Sequence, residues 1–315
     1  MIVTLTPNPS VDRTISVATL ERGAVMRATA SREDPGGKGL NVSRALALNG
    51  TVTAAVLPVG GAYGRMLLAL LESGDVDVRP VPIGAAIRAN VAIVEPDGTT
   101  TKLNEQGPQL HPAELAALRQ AVLDAAAGAS WVVGCGSLPP GVDDSFYAEL
   151  VGLCHANGVR VAVDSSGPSM AAALAAAPDL IKPNRIELAE AVGRDLDTVG
   201  AVVDASRELV ASGVGTVVVS LGRDGALLID AERVVHAVAS INHPLSTVGA
   251  GDSLLAGYLH AVDAGADPVA ALRTAVAFGA AAVMLPGSKM PGPEQVAAIA
   301  VTVDESPDFS RPLND

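Results

Sequence analysis

Short apolar runs rich in β-branched residues alternate along this chain with longer stretches whose apolar positions recur every three or four residues. Runs at 2–6 (IVTLT), 51–59 (TVTAAVLPV) and 76–83 (VDVRPVPI) read as strands, and helical patterns follow Gly39 and fill about 64–73. That alternation predicts a mostly parallel sheet covered by helices. The rhythm breaks at 89–105, ANVAIVEPDGTTTKLNE, where Asp97-Gly98 divides two alternating runs and predicts a β-hairpin. Beyond it, Pro112 opens a helix to about residue 127, and 131–136, 159–164, 179–183 and 216–222 supply further buried strands. The expected fold is α/β, a doubly wound core in one domain spanning 1–315. The hairpin and segment 10–35 would form a small β-sheet outside that core, a lid over one end of it. In open α/β sheets ligands sit beyond the carboxyl ends of the strands, where this chain repeatedly places polar loops.

Composition narrows the chemistry. Of the 315 residues 49% are hydrophobic and 17% charged, which excludes a disordered chain, while aromatic residues make up only 2% and leave few platforms for stacked bases. A formal charge of −13 repels phosphate polyanions at long range, so neither nucleic acid nor an anionic membrane is an expected partner. Any phosphate site must be built locally. Cys135 and Cys154 lack metal-ligand spacing and read as free thiols in a reducing compartment. The opening MIVTLTPNPS has no basic region followed by an apolar stretch, and a cytoplasmic protein is expected. The tail 305–315, ESPDFSRPLND, is a candidate flexible segment whose order the sequence leaves open.

Several stretches could carry chemistry. In STVGAGDSLLAG (246–257), Gly249, Ala250 and Gly251 can turn backbone N–H groups toward an anion at the start of a helix. Asp252 would then stand beside that anion, placed to accept the proton of an attacking hydroxyl. A flexible turn with an acid in the first helical turn explains the same tetrad without function. DPGGKGLN (34–41) offers Gly37 and Lys38 before a helix beginning near Asn41; it is no Walker A loop, because Gly39 follows the lysine. The lysine suits a substrate's hydroxyls or phosphate, or is an ordinary turn residue. Asn184-x-x-Glu187 in IKPNRIELAE is a capping box, and the same pair could orient water around Mg²⁺. The Gly222-x-x-Gly225 turn in SLGRDGALLI reads as a tight hairpin or as a nucleotide-contacting loop, and GSLPPG (136–141) as a rigid turn that presents Ser137.

Together TPNPSVD (6–12), GGKGLN (36–41), LNEQGP (103–108), GSLPPG, KPNRIEL (182–188), VSLGRDGA (219–226) and STVGAGDS (246–253) resemble, in order and almost end to end, the ribokinase-like carbohydrate kinases of the PfkB type. The resemblance implies a ribokinase-like fold, ATP and Mg²⁺ as cofactors, with K⁺ a candidate activator, and a homodimer joined through lid strands. It further implies Asp252 as catalytic base, an anion hole from Gly249, Ala250 and Gly251, and sugar contacts from Asp12, Gly37, Lys38 and Asn41. Arg88, with Ser137 and Arg27, would hold the sugar's existing phosphate. Lys182, Asn184 and Glu187 would serve the nucleotide phosphates and the metal, Glu187 through water, while Ser220, Gly222 and Gly225 would line the ATP site. Ser246 stands where many relatives carry Asp, a form associated with the phosphosugar branch, and Tyr63 stands in a Gly-rich segment that often carries an acid.

Residue types favour a phosphorylated acceptor. Arg27, Lys38, Arg88 and Lys102 fall in the half that should build its site, whereas the proposed acceptor segments contain one aromatic, Tyr63. The resulting expectation is ATP-dependent phosphorylation of D-fructose 1-phosphate at its 6-hydroxyl. Fructose 6-phosphate and tagatose 6-phosphate are within-class alternatives, and a non-catalytic sugar-phosphate-binding regulator is the alternative from another class.

Overall fold

Strands that are apolar at every position need cover on both faces, and the helices between them provide it. The computed structural model describes residues 1–72, 74–241 and 244–313. The first half runs β1 (Ile2–Leu5), β2 (Ser10–Ser16), β3 (Ala30–Gly36), α1 (Lys38–Leu48), β4 (Thr53–Val59), α2 (Gly61–Leu71), β5 (Asp77–Pro82), β6 (Arg88–Val94), β7 (Thr100–Asn104), α3 (Pro112–Ala126), β8 (Trp131–Cys135) and α4 (Phe146–Ala156). The second runs β9 (Arg160–Asp164), α5 (Gly167–Ala175), β10 (Leu180–Ile181), α6 (Arg185–Val192), α7 (Val199–Ala211), β11 (Thr216–Ser220), β12 (Ala226–Ile229), β13 (Val234–Ala239), α8 (Ala250–Asp263), α9 (Pro268–Val283), α10 (Pro293–Ala297) and β14 (Val301–Asp304).

Ten strands form the main sheet in the order β14-β13-β12-β11-β10-β9-β8-β1-β4-β5, parallel from β11 to β5 and antiparallel at the β12–β14 edge. One face packs against α3, α4 and α7 through Leu118, Val151 and Val202, the other against α1, α8 and α9 through Leu46, Leu255 and Phe278. The chain leaves β1 toward β4 and β5 on one side and later fills β8 to β11 on the other, so the order reverses between β1 and β8. That reversal splays the loops and opens a crevice at the carboxyl ends.

A separate four-stranded sheet, β3-β2-β6-β7, carries the expected hairpin, with Asn90 paired to Asn104 across it. Both segments expected to build the small sheet do so. Three details add to the sequence reading or depart from it. Helix α1 begins at Lys38 rather than near Asn41, because Gly37 turns the chain sharply beside Thr6, whose Cγ2 would lie 2.6 Å from any Cβ there. Strands β13 and β14 lie outside the runs read as strands: β14 has only four residues, half-buried Val301 and Val303 alternating with exposed Thr302 and Asp304, and it pairs with β13 at the sheet edge. The tail, whose order the sequence leaves open, is tied down as far as Leu313: Val199 and Gly200 N–H groups at the start of α7 donate to Arg311 O and Phe309 O at 3.0 and 2.8 Å. Leu313 N–H returns a bond to Asp197 O at 2.9 Å. Orphan donors of a helix start thus draw in the tail.

Candidate active site

Asp164 ends β9 and Lys182 follows β10, so both side chains leave the sheet at its carboxyl edge, where Lys38 meets them from the first turn of α1. The Asp164 carboxylate is wholly buried; Lys38 Nζ donates to its Oδ1 at 2.9 Å, and Lys182 Nζ lies 3.4 Å from its Oδ2. Lys38 Nζ also stands 3.5 Å from Glu187 Oε1. Burial alone would raise the Asp164 pKa, but Lys182 and Lys38 outweigh it and hold the carboxyl below the ordinary range. Burial likewise opposes the charge on Lys38, and Asp164 with Glu187 overcomes that and raises its pKa.

Across from this cluster begins α8. Its N-cap, Gly249, takes the left-handed conformation (φ 77°), which aims the first turn at the lysines. A Cβ on Gly251 would come 3.3 Å from Lys182 Nζ, so the bare backbone there lets the ammonium lie close against the helix start. Ser253 N–H makes a bond to Gly249 O at 2.8 Å, which leaves the amides of Gly251 and Asp252 ahead of the helical ladder. Ala250 N–H spends itself on a long contact to Thr247 O, 3.3 Å. Asp252 is buried, and Asn41 Nδ2 donates to its Oδ2 at 2.9 Å. Burial and the nearby Asp164 charge push its pKa up to about 6, against the pull of Asn41, Lys38 and Lys182. A carboxylate so poised is a stronger base than an exposed one and is still mostly ionised at neutral pH.

The pfkB family carbohydrate kinase profile matches residues 6–295. The chain belongs to the pfkB family of carbohydrate kinases. It is similar to a 1-phosphofructokinase of Rhodobacter capsulatus, 42% identical over 96% of both chains. It is also similar to an ATP-dependent 6-phosphofructokinase isozyme 2 of Escherichia coli strain K12, 37% identical over 92% of this chain and 94% of that one. Among solved structures, phosphofructokinase-2 from Escherichia coli in complex with substrates and products superposes with a TM-score of 0.90 at 35% identity, covering 94% of this chain and 97% of the other. The fold is the ribokinase-like one.

In this kinase Asp12, Arg88 and Ser137 gather around the loop after β1. Ser10 Oγ and Asn90 Nδ2 donate to Asp12 Oδ1 at 2.7 and 3.0 Å, which aims the carboxylate from the small sheet. Arg88 donates to the carbonyls of Glu105 and Asn8 at 2.9 and 3.0 Å, and Asn8 Nδ2 reaches Ser137 Oγ at 3.4 Å. Arg27 does not join them. It is exposed in the connection between β2 and β3, beyond the Ser16–Ala30 pair, whereas Asp12 pairs with Asp34 four positions back. Four residues of strand separate the two pairs by about 13 Å. Lys38 is also placed differently from a purely sugar-facing role, since it bridges Asp164 to Glu187 on the side of Lys182.

The other group comes together at β10 and β11. Asn184 bridges to Ser220, and Ser220 N–H donates to Pro183 O at 3.0 Å. Asn184 and Glu187 form the capping box: Glu187 N–H donates to Asn184 Oδ1 at 2.8 Å and Asn184 N–H to Glu187 Oε2 at 2.9 Å. The cap leaves Glu187 Oε1 facing Lys38. Gly222 and Gly225 make the tight turn between β11 and β12, and a Cβ on Gly225 would strike Ala237 O at 2.1 Å.

Sequence reasoning missed Asp164, Asn8 and Asn90. Asp164 had a signal, a lone carboxylate at the end of an apolar strand; the others sit in segments whose contacts come from distant strands. Among the described residues no group of three or more His, Cys, Asp or Glu could hold a metal. With one Glu187 oxygen in the capping box and the other shared only with the Lys38 ammonium, the site fits a Mg²⁺ carried mainly by nucleotide phosphates and water, and not a metal caged by protein. No helix among the described residues is long and apolar enough to cross a membrane.

Proposed function

We propose that the protein transfers the γ-phosphoryl group of ATP to the 6-hydroxyl of D-fructose 1-phosphate, giving fructose 1,6-bisphosphate and ADP. The observation that carries this reading is the placement of Asp252, buried and held by Asn41, beside the open amides of α8 and within the field of Lys38 and Lys182. Asp252 accepts the hydroxyl proton as the sugar oxygen bonds to the γ-phosphorus, and the bond from that phosphorus to the ADP oxygen breaks. Lys38, Lys182 and the amides of Gly251 and Asp252 offset the charge on the transferring group. Glu187 would orient a water of the Mg²⁺ that accompanies the nucleotide, and that ion would supply neutralising charge to the phosphates.

Asp12 and Asn41 orient the sugar hydroxyls, and Arg88 with Ser137 faces the phosphate already present. The small sheet serves as the lid that excludes water, and its exposed edge strands β3 and β7 are the surfaces through which two copies pair. Ser220 and the turn of Gly222 and Gly225 line the nucleotide. A binding protein without turnover has no use for a buried carboxylate that costs desolvation and binds nothing, which favours the enzyme. Initial rates with ATP and each of fructose 1-phosphate, fructose 6-phosphate and tagatose 6-phosphate test the assignment. Highest kcat/KM with fructose 1-phosphate is expected, and a preference for either of the others overturns it.

A further inference from the structure

Asn41 has two unlike ends, and both are engaged. Its Nδ2 donates to Asp252 Oδ2 at 2.9 Å, while its Oδ1 accepts from Arg44 Nη1 at 3.2 Å. We propose that Arg44 is a positioning residue for Asp252: acting through Asn41, it fixes which end of the amide meets the carboxylate and so keeps Asp252 able to accept a proton. The inference rests on the reading of Asp252 as base.

The argument is one of donors and acceptors. A guanidinium only donates and an ionised carboxylate only accepts, so an amide standing between them is satisfied in one orientation alone. Residues 41 and 44 lie three apart on α1 and therefore on one face of it. Arg44 cannot easily swing away, because the same Nη1 lies 3.4 Å from Pro35 O at the end of β3 and 3.3 Å from Ser288 O in the segment before α10. Asp12 and Asp34 are the charges that face it.

Replace Arg44 by an apolar side chain, and the Asn41 amide is free to turn over. Its oxygen would then meet Asp252, which is comfortable only if the carboxyl is protonated and donates. The other groups around Asp252 are Asp164 on β9, Lys38 on α1, Lys182 after β10 and Cys135 on β8, and none of them touches Arg44. A change at Arg44 therefore reaches Asp252 through Asn41.

The test is the pH profile of kcat at saturating ATP, Mg²⁺ and sugar phosphate for the unaltered enzyme, Arg44→Met and Arg44→Lys. Arg44→Met is expected to move the acid limb up by about one pH unit, a loss of several-fold in kcat near pH 6.5 that shrinks by pH 8.5. Arg44→Lys, which can still donate to Asn41 Oδ1, is expected to keep the limb in place. An unmoved limb in Arg44→Met, however large a uniform loss of kcat, overturns the inference, as does a limb moved equally far in Arg44→Lys. Arg44→Ala serves as the second apolar variant if Arg44→Met does not fold. Asp252→Asn separates the two ideas: retained activity there removes the base itself, whereas lost activity with an unmoved limb in the Arg44 variants removes only the role of Arg44.

Discussion

Lys38 and Asp164 form an ion pair of 2.9 Å at the junction of α1 with the carboxyl end of β9, although 126 residues separate them in the chain. A fully buried carboxylate is tolerable only because two ammonium groups surround it. The pair also holds Lys38 toward Glu187 and Lys182, so the cluster acts as one electrostatic unit.

Asp164→Asn should therefore destabilise the fold by about 3–5 kcal/mol, since it removes the carboxylate 3.4 Å from the buried Lys182 and the nearer of the two beside Lys38. Denaturant titration at pH 7.5 measures this. The folded carboxyl lies below its ordinary value, so its contribution is present above that value and fades as pH falls through the depressed one. The difference between the two proteins should shrink in acid, and an equal difference at every pH would contradict the ion-pair account.

Asp252→Asn is expected to have the opposite effect on stability. The folded pKa is raised from 3.8 to about 6, so the ionised carboxylate opposes folding above that pH and has no such effect below the lower value. A shift of that size corresponds to about 3 kcal/mol, an upper estimate for the gain of the Asn variant at pH 7.5. Its kcat should fall by about 100-fold or more. Calorimetric melting at pH 7.5 and pH 4.5, with rates, would check both halves; a variant that is active or less stable at the higher pH contradicts the prediction.

Gly158→Ala and Gly225→Ala contrast two glycines of positive φ, 72° and 87°. A Cβ at 158 meets nothing within 4 Å, whereas one at 225 strikes the Ala237 carbonyl at 2.1 Å. The first should cost about 1–2 kcal/mol from backbone strain alone. The second must displace β13 as well and should cost clearly more, with a raised KM for ATP. Equal midpoints in urea for the two variants would refute the packing argument.

Removal of residues 307–315 should lower stability by about 2–3 kcal/mol. It deletes the acceptors for Val199 and Gly200 at the start of α7, and the packing of Phe309 under Arg207, whose Cζ is 5.7 Å from the ring centre. Faster amide hydrogen exchange confined to the first turn of α7 is the expected signature. Unchanged exchange there would mean the tail contributes nothing to the helix.

Much of this was legible locally. The Asn184–Glu187 box, the Asp97-Gly98 hairpin and the helix opened by Pro112 depend on residues within a few positions of one another, and each forms where the pattern placed it. The motif residues Asp252, Asn41 and Lys182 do meet in one place. Arg27 illustrates the limit: its charge suggested a phosphate contact, yet distance along a hairpin keeps it from Asp12. Asp164 illustrates the converse, because nothing near it in sequence reveals two lysines drawn from other elements.

By itself, then, the order of apolar and polar residues determined the alternating strands and helices, the separate small sheet and the turns that end each strand, because backbone geometry repeats over two to four residues. Only the tertiary structure decided that Asp252 faces Asn41 from 211 positions away and has its pKa raised, while Asp164 becomes a partner for lysines and has its pKa lowered. The two carboxylates are the same chemical group, and their difference comes from burial and from the sign and distance of neighbouring charges, which no local stretch of chain contains.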